Sequence, residues 1–299
     1  MAAYVQDVIM LVGDSLTQGG FVPHGFAQQL AHVYNRKLDV FNRGLSGYNT
    51  TWGLPVFEQV FAKQHEQQHV PKVRLLTIWY GANDACIPPS PQHVPLPEFS
   101  ANLRTMIRSV TSPSSPHYSA ITKIILITPP PVNTHQRGAD LASRDPPRPL
   151  DREFETTHQY AEAVKIVGAQ EGVPVIDLWT ILYDACGRVE EKLSEYLYDG
   201  LHVNQKGYQV VFDEIIKTVS KHYPELHYDK LQNVFIGCVD RITFMSRRLK
   251  CFVNADMPIS ISRIYGRAYR KESPCHPLYQ LPNDHFPEPF SVLPFVVAK

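Results

Sequence analysis

Five short, almost unbroken apolar runs constrain this 299-residue chain more than any other feature. They are residues 7–13 (DVIMLVG), 38–42 (LDVFN), 72–80 (KVRLLTIWY), 120–128 (AITKIILIT) and 173–178 (VPVIDL). None alternates apolar with polar in the manner of a strand with one wet face. A strand that is apolar on both faces needs cover on both, which points to a parallel sheet between two helical layers. The segments between the runs supply that cover. Phe99, Leu103, Met106, Ile107 and Val110 fall on one stripe of a helix, as do Tyr208, Val211, Phe212, Ile215 and Val219. Residues 152–171 read as a longer helix, with Gly172 as its C-cap. Alternation of this kind, with right-handed crossovers, predicts a doubly wound α/β fold.

Two regions interrupt the pattern. Residues 129–149 hold six prolines and read as one long irregular loop, of the kind that in compact domains is usually functional or disordered. Residues 237–299 hold seven prolines, nine Lys/Arg and five Asp/Glu, with no sustained period. The expected division is an α/β body of residues 1–235 and an irregular, poorly ordered extension of residues 236–299.

Charge and cysteine usage exclude several classes of function. Lys plus Arg and Asp plus Glu each number 29, so there is no global field to draw in nucleic acid or an anionic membrane. No apolar run approaches the ~18 residues that a membrane span needs. The first residues lack the basic stretch of a secretory leader. The five cysteines are odd in number and have no metal-ligand spacing. The expectation is a cytoplasmic protein with free thiols and no metal. Its oligomeric state is left open, a homodimer included.

In an open α/β sheet, ligands bind beyond the carboxyl ends of the strands. The first three runs are followed there by Gly13-Asp14-Ser15-Leu16, Asn42-Arg43-Gly44 and Gly81-Ala82-Asn83-Asp84. Just before the last helical stripe comes Asp199-Gly200-Leu201-His202. Acyl transfer needs a nucleophile, a base, a carboxylate to orient the base, and donors for the oxyanion. Ser15, His202 and Asp199 can fill the first three roles. The backbone N–H groups of Ser15 and Gly44 and the amide of Asn83 can supply the donors. Each block also has a plainer reading. Gly-Asp-Ser and Asp-Gly are ordinary turn sequences, and Asn83 and Asp84 can cap the next segment. No phosphate-loop or dinucleotide fingerprint is present. Cys86 reads as a buried structural thiol.

Taken together, the four blocks in order resemble the SGNH, or GDSL-type, hydrolase superfamily. Further stretches resemble its isoamyl acetate-hydrolysing esterase branch: His93-Val94-Pro95-Leu96, Asn102-Leu103-Arg104, Ile127-Thr128-Pro129-Pro130-Pro131 and Val175-Ile176-Asp177-Leu178-Trp179. The similarity spans roughly residues 5–235. It implies a flavodoxin-like three-layer α/β/α sandwich around a five-stranded parallel sheet, with no metal and no organic cofactor. It also implies a serine esterase acting on small, acetate-like esters. Two alternatives stand beside it: a lysophospholipase, acyl-thioesterase or sugar O-deacetylase on the same fold, and a catalytically inactive binding protein.

Overall fold

The computed structural model describes residues 6–235; the expected extension lies outside the described residues. Five strands form one sheet: β1 (Asp7–Gly13), β2 (Leu38–Gly44), β3 (Val73–Trp79), β4 (Lys123–Ile127) and β5 (Val175–Ile176). All pairs are parallel and the order is β2-β1-β3-β4-β5, the flavodoxin-like order. Among the described residues eight α-helices accompany them: α1 (Ser15–Gln18), α2 (Phe26–Val33), α3 (Thr50–Val60), α4 (Leu96–Thr111), α5 (Thr134–Ala142), α6 (Phe154–Glu171), α7 (Leu178–Ala185) and α8 (Gln205–His222).

The unbroken apolar runs have a direct structural cause. Successive strand residues point to opposite faces, and each face carries its own core. Ile9, Leu11, Leu75, Trp79 and Ile125 pack against Phe26 and Leu30 of α2, Leu182 of α7 and Val211 and Ile215 of α8. Val8, Met10, Val12, Leu76 and Ile124 pack against Phe57 of α3, Phe99 and Met106 of α4 and Val164 of α6. The layers are therefore helix, sheet, helix. Gly172 ends α6 with φ at +67°, the left-handed cap that glycine adopts without strain.

Two expectations change. The fifth run is a strand only at Val175–Ile176. Asp177 accepts a hydrogen bond from the N–H of Thr180 and caps α7, so Leu178 already belongs to a helix. Residues 129–149 are not a continuous irregular loop, because α5 lies inside them. Asn133 caps it by accepting from the N–H of Gln136 at 3.0 Å. The helix buries only Arg137 and Leu141, so its sequence carries no apolar stripe to reveal it.

The sheet register sets the position of the site. Gly13 pairs with Gly44 on one side and with Trp79 on the other. The carboxyl ends of β1, β2 and β3 thus finish level, and the segments after them meet along one edge.

Candidate active site

Ser15 is the first residue of α1, and only Asp14 separates it from the end of β1. Asp14 makes this sharp entry by capping the helix, its Oδ1 accepting from the N–H of Leu16 at 2.9 Å. Gly13 permits the turn: a Cβ there would lie 2.2 Å from Thr17 Oγ1 and 2.3 Å from the carbonyl oxygen of Trp79. The N–H of Ser15 is one of the orphan donors of a helix start. It has no protein partner among the described residues.

Asp199 and His202 come from a tight turn closed by the bridge between Leu197 and Val203. Ser15 Oγ lies 3.0 Å from His202 Nε2, and His202 Nδ1 lies 2.8 Å from Asp199 Oδ2. A carboxylate only accepts, so Nδ1 carries the ring proton and Nε2 offers its lone pair to the serine hydroxyl. The other oxygen of Asp199 accepts from the N–H groups of Leu201 and His202 at 3.0 and 2.8 Å. Burial alone would raise the pKa of Asp199. The hydrogen bonds from the His202 ring and backbone, the His202 charge and the Leu201 N–H outweigh burial and hold the carboxyl well below its ordinary value. It is therefore ionised whenever the imidazole is to be oriented.

Asn83 stands on the third segment, and its amide has a defined direction. Its Oδ1 accepts from Arg152 Nη2 at 2.9 Å and from Gln92 Nε2 at 3.2 Å, while its Nδ2 donates to the carbonyl of Tyr48 at 2.8 Å. Arginine can only donate and a carbonyl can only accept, which excludes the flipped amide. One N–H of Nδ2 is left over. Asp84, next in line, accepts from the N–H and hydroxyl of Thr50 at the start of α3, as a structural cap.

Gly44 does not fit the oxyanion role expected of it. Its N–H donates to Asn42 Oδ1 at 2.9 Å, and a Cβ there would lie 2.1 Å from the backbone nitrogen of Gln18. The glycine is needed where β2 passes α1, and its donor is spent. Three residues on, Gly47 has φ at +81°, and its N–H has no partner among the described residues. The carbonyl of Gly47 takes Gln92 Nε2 at 2.8 Å, and the next carbonyl, of Tyr48, takes Asn83. The signal for Gly47 in the sequence was its own turn pair, Ser46-Gly47.

A cleft of about 590 Å³ opens beside Ser15 and His202, lined also by Gln18, Ser46, Tyr198 and Tyr208 among others. The ring of Tyr198, 64% exposed, stacks on His202 at 5.5 Å between centroids. A larger recess of about 750 Å³ borders Val8, Phe41, Val60, His65 and Val73, toward the amino ends of β1 and β3, and shares no residue with the cleft beside Ser15. Cys86 is buried and free, and burial pushes its thiol pKa up, which disfavours the thiolate a nucleophile needs. No cluster of metal-ligating side chains occurs among the described residues.

The model of the GDSL-like Lipase/Acylhydrolase family matches residues 11–210, which takes in every residue described above as part of the site. The chain belongs to that family. It is 36% identical over 216 residues to a GDSL esterase/lipase of Arabidopsis thaliana, covering 71% of this chain and 86% of the relative. It is 34% identical to an isoamyl acetate-hydrolyzing esterase 1 homolog of Bos taurus, covering 74% and 84%. The isoamyl acetate-hydrolyzing esterase of Saccharomyces cerevisiae is 29% identical, covering 75% and 90%. Among solved structures, a lipase/acylhydrolase from Enterococcus faecalis aligns with a TM-score of 0.51 at 24% identity, covering 76% of this chain and 98% of that one. The acetylxylan esterase Axe2 of Geobacillus stearothermophilus aligns with a TM-score of 0.51 at 19% identity, covering 73% and 96%. These two structures share the fold. Family membership makes the chain a carboxylic ester hydrolase. No helix among the described residues is long and apolar enough to cross a membrane.

Proposed function

We propose that this chain is a serine esterase for small, short-acyl esters and works through an acyl-serine intermediate. The observation that carries the reading is the unbroken series Ser15 Oγ, His202, Asp199, at 3.0 and 2.8 Å, opening into a cleft of about 590 Å³. His202 Nε2 takes the hydroxyl proton as Ser15 Oγ bonds to the ester carbonyl carbon. The carbonyl oxygen becomes an oxyanion, and ionised Asp199 stabilises the new imidazolium. We assign the oxyanion to three uncharged donors: the N–H of Ser15, the N–H of Gly47 and the spare N–H of Asn83. As the intermediate collapses, the imidazolium proton goes to the leaving alkoxide and the acyl group stays on Ser15. Water, deprotonated by the same imidazole, then releases the acid and restores the serine.

The modest cleft supports a short acyl group, and so does similarity to isoamyl acetate-hydrolyzing esterases. Tyr198 favours a second reading of the alcohol half. An exposed aromatic face beside the side chains of Gln18 and Gln205 suits the C–H face and hydroxyls of a sugar. Both readings share acetate, so two assays decide. Turnover over p-nitrophenyl esters should be highest at acetate and fall steadily toward palmitate; a maximum at long chains would favour a lysophospholipase or thioesterase instead. Comparing isoamyl acetate with an acetylated sugar identifies the alcohol. We also propose residue 235 as the end of the catalytic body and a reducing, cytoplasmic setting, the latter supported by the free thiols Cys86 and Cys186.

A further inference from the structure

Two buried arginines sit behind the site, and neither faces the substrate cleft. Arg137, on α5, has a side chain only 5% exposed. Its Nη1 donates to Asp199 Oδ2 at 3.0 Å, the same oxygen that receives His202 Nδ1. Arg152, just before α6, has a side chain 3% exposed. It donates from Nη2 to Asn83 Oδ1 at 2.9 Å and from Nε to the carbonyl of Ala82 at 2.7 Å. One carboxylate joins them. Asp151 accepts from Arg137 Nε and Nη2 at 3.1 and 2.9 Å, as a fork, and from Arg152 Nη1 on its Oδ2. A continuous chain therefore runs from Asp199 through Arg137, Asp151 and Arg152 to Asn83.

We propose that Asp151 is a positioning residue for ester hydrolysis, and that the Arg137–Asp151–Arg152 series holds the triad carboxylate and the oxyanion amide in register as one unit. Three features support this. First, arginine can only donate, so each contact at the site has a fixed sense. Arg152 fixes which way the Asn83 amide points, and Arg137 fixes the Asp199 oxygen that meets the imidazole. Second, guanidinium forks are planar, so the bidentate pair with Asp151 fixes the angle of Arg137 as well as its distance. Third, the charges balance. Two cations face the carboxylates of Asp151 and Asp199, so neither arginine is left uncompensated in a buried place. Asp140 also reaches Arg137 Nη1, at 3.5 Å, but it pairs more closely with Arg144, at 2.6 Å. The backbone reinforces the arrangement. Asn133, the cap of α5, donates its N–H to the carbonyl of Gly200 at 2.8 Å. A Cβ on Gly200 would lie 2.4 Å from the nitrogen of Arg137. The helix carrying Arg137 and the turn carrying Asp199 and His202 are thus docked with no space between them.

The proposal rests on the serine-esterase reading, and the test separates the two. Active enzyme is counted by fluorophosphonate titration, and kcat and KM for p-nitrophenyl acetate are taken per titrated site. Asp151→Asn keeps the shape and removes the charge that aligns both arginines. It should lower kcat roughly 10- to 100-fold, as expected when reacting groups lose alignment, with KM within about 2-fold. Arg137→Lys and Arg152→Lys should each lower kcat, and each should add less on top of Asp151→Asn than alone, because one unit is already broken. Arg144→Ala, outside the chain, should stay within about 2-fold of the parent. If Asp151→Asn does not fold, the two lysine variants decide by the same readout. An unchanged kcat per titrated site, whatever the loss in Tm, overturns the proposal and leaves the series as a structural ion-pair cluster. Full activity in Ser15→Ala would overturn the esterase mechanism itself, independently of Asp151.

Discussion

The turn at residues 13–18 and the segment at residues 129–152 both build the site, by opposite routes. In the first, neighbours in sequence do most of the work. Gly13 allows the approach to Trp79, Asp14 caps the helix, and Ser15 follows at once. In the second, the functional groups act far from home. Arg137 meets Asp199 across 62 residues of chain, and Arg152 meets Asn83 across 69. A local device displays Ser15, the proposed nucleophile. A segment with little local preference of its own is folded by its partners, and it can bridge two halves of a site.

The predictions probe that contrast, beginning with the local device. Ser15→Ala should lose at least ~10⁴-fold in kcat while the fold is kept, since the triad acts as a unit. Near-normal turnover by the purified, folded variant would remove the nucleophile and with it the mechanism. Asn83→Ala should cost roughly 10²–10³ in kcat with a smaller change in KM, as for loss of one oxyanion donor. If KM alone rises, the amide binds the ground state, and its brace through Arg152 has no catalytic meaning.

Gly200→Ala tests the seam between the two regions without touching a charged group. At φ +83°, with Arg137 at the notional Cβ, the alanine must push α5 away from the triad turn. A loss of about 1–3 kcal/mol in stability is expected from the strained backbone, and a fall of roughly 10-fold in kcat from the misplaced Asp199. Stability lost at constant kcat would show that the seam supports the fold alone.

The smallest effect concerns the pH dependence of stability. Complete burial raises the Asp14 carboxyl to about 7, helped by Asp84 and opposed by the Leu16 N–H and Arg152. A raised acid binds its proton more tightly in the folded state. Its contribution is therefore fully present below the unfolded pKa, near 4, and is lost as pH rises through about 7. Asp199 and Asp151, both depressed, act in the opposite sense, losing their contribution as pH falls. Asp14→Asn keeps the capping oxygen and cannot ionise. Its Tm relative to the parent should therefore rise between pH 5 and 8; a constant difference would mean that Asp14 titrates normally.

Much of the candidate site was legible because Ser15 and Asn83 follow the ends of β1 and β3. The runs marked the strands, and Ser15, Asn83, Asp199 and His202 stood out as the residues proposed for acyl transfer. Gly44 misled, since a glycine after a strand can serve either backbone crossing or an exposed amide, and only the bond to Asn42 tells which. The helix α5 was hidden because it buries Arg137 and Leu141 and little else, so no apolar period marked it.

The sequence alone pointed to the α/β architecture, since near-unbroken apolar strands alternating with helical stripes need and supply cover on both faces of a sheet. It also determined the residue types available for acyl transfer. Tertiary structure decided which donors remain free, which way the Asn83 amide points, and that two buried arginines share Asp151 behind the site. Those outcomes depend on pairings between residues tens of positions apart. Such pairings leave no period in the sequence, because the free energy of a buried charge is set by the group that meets it.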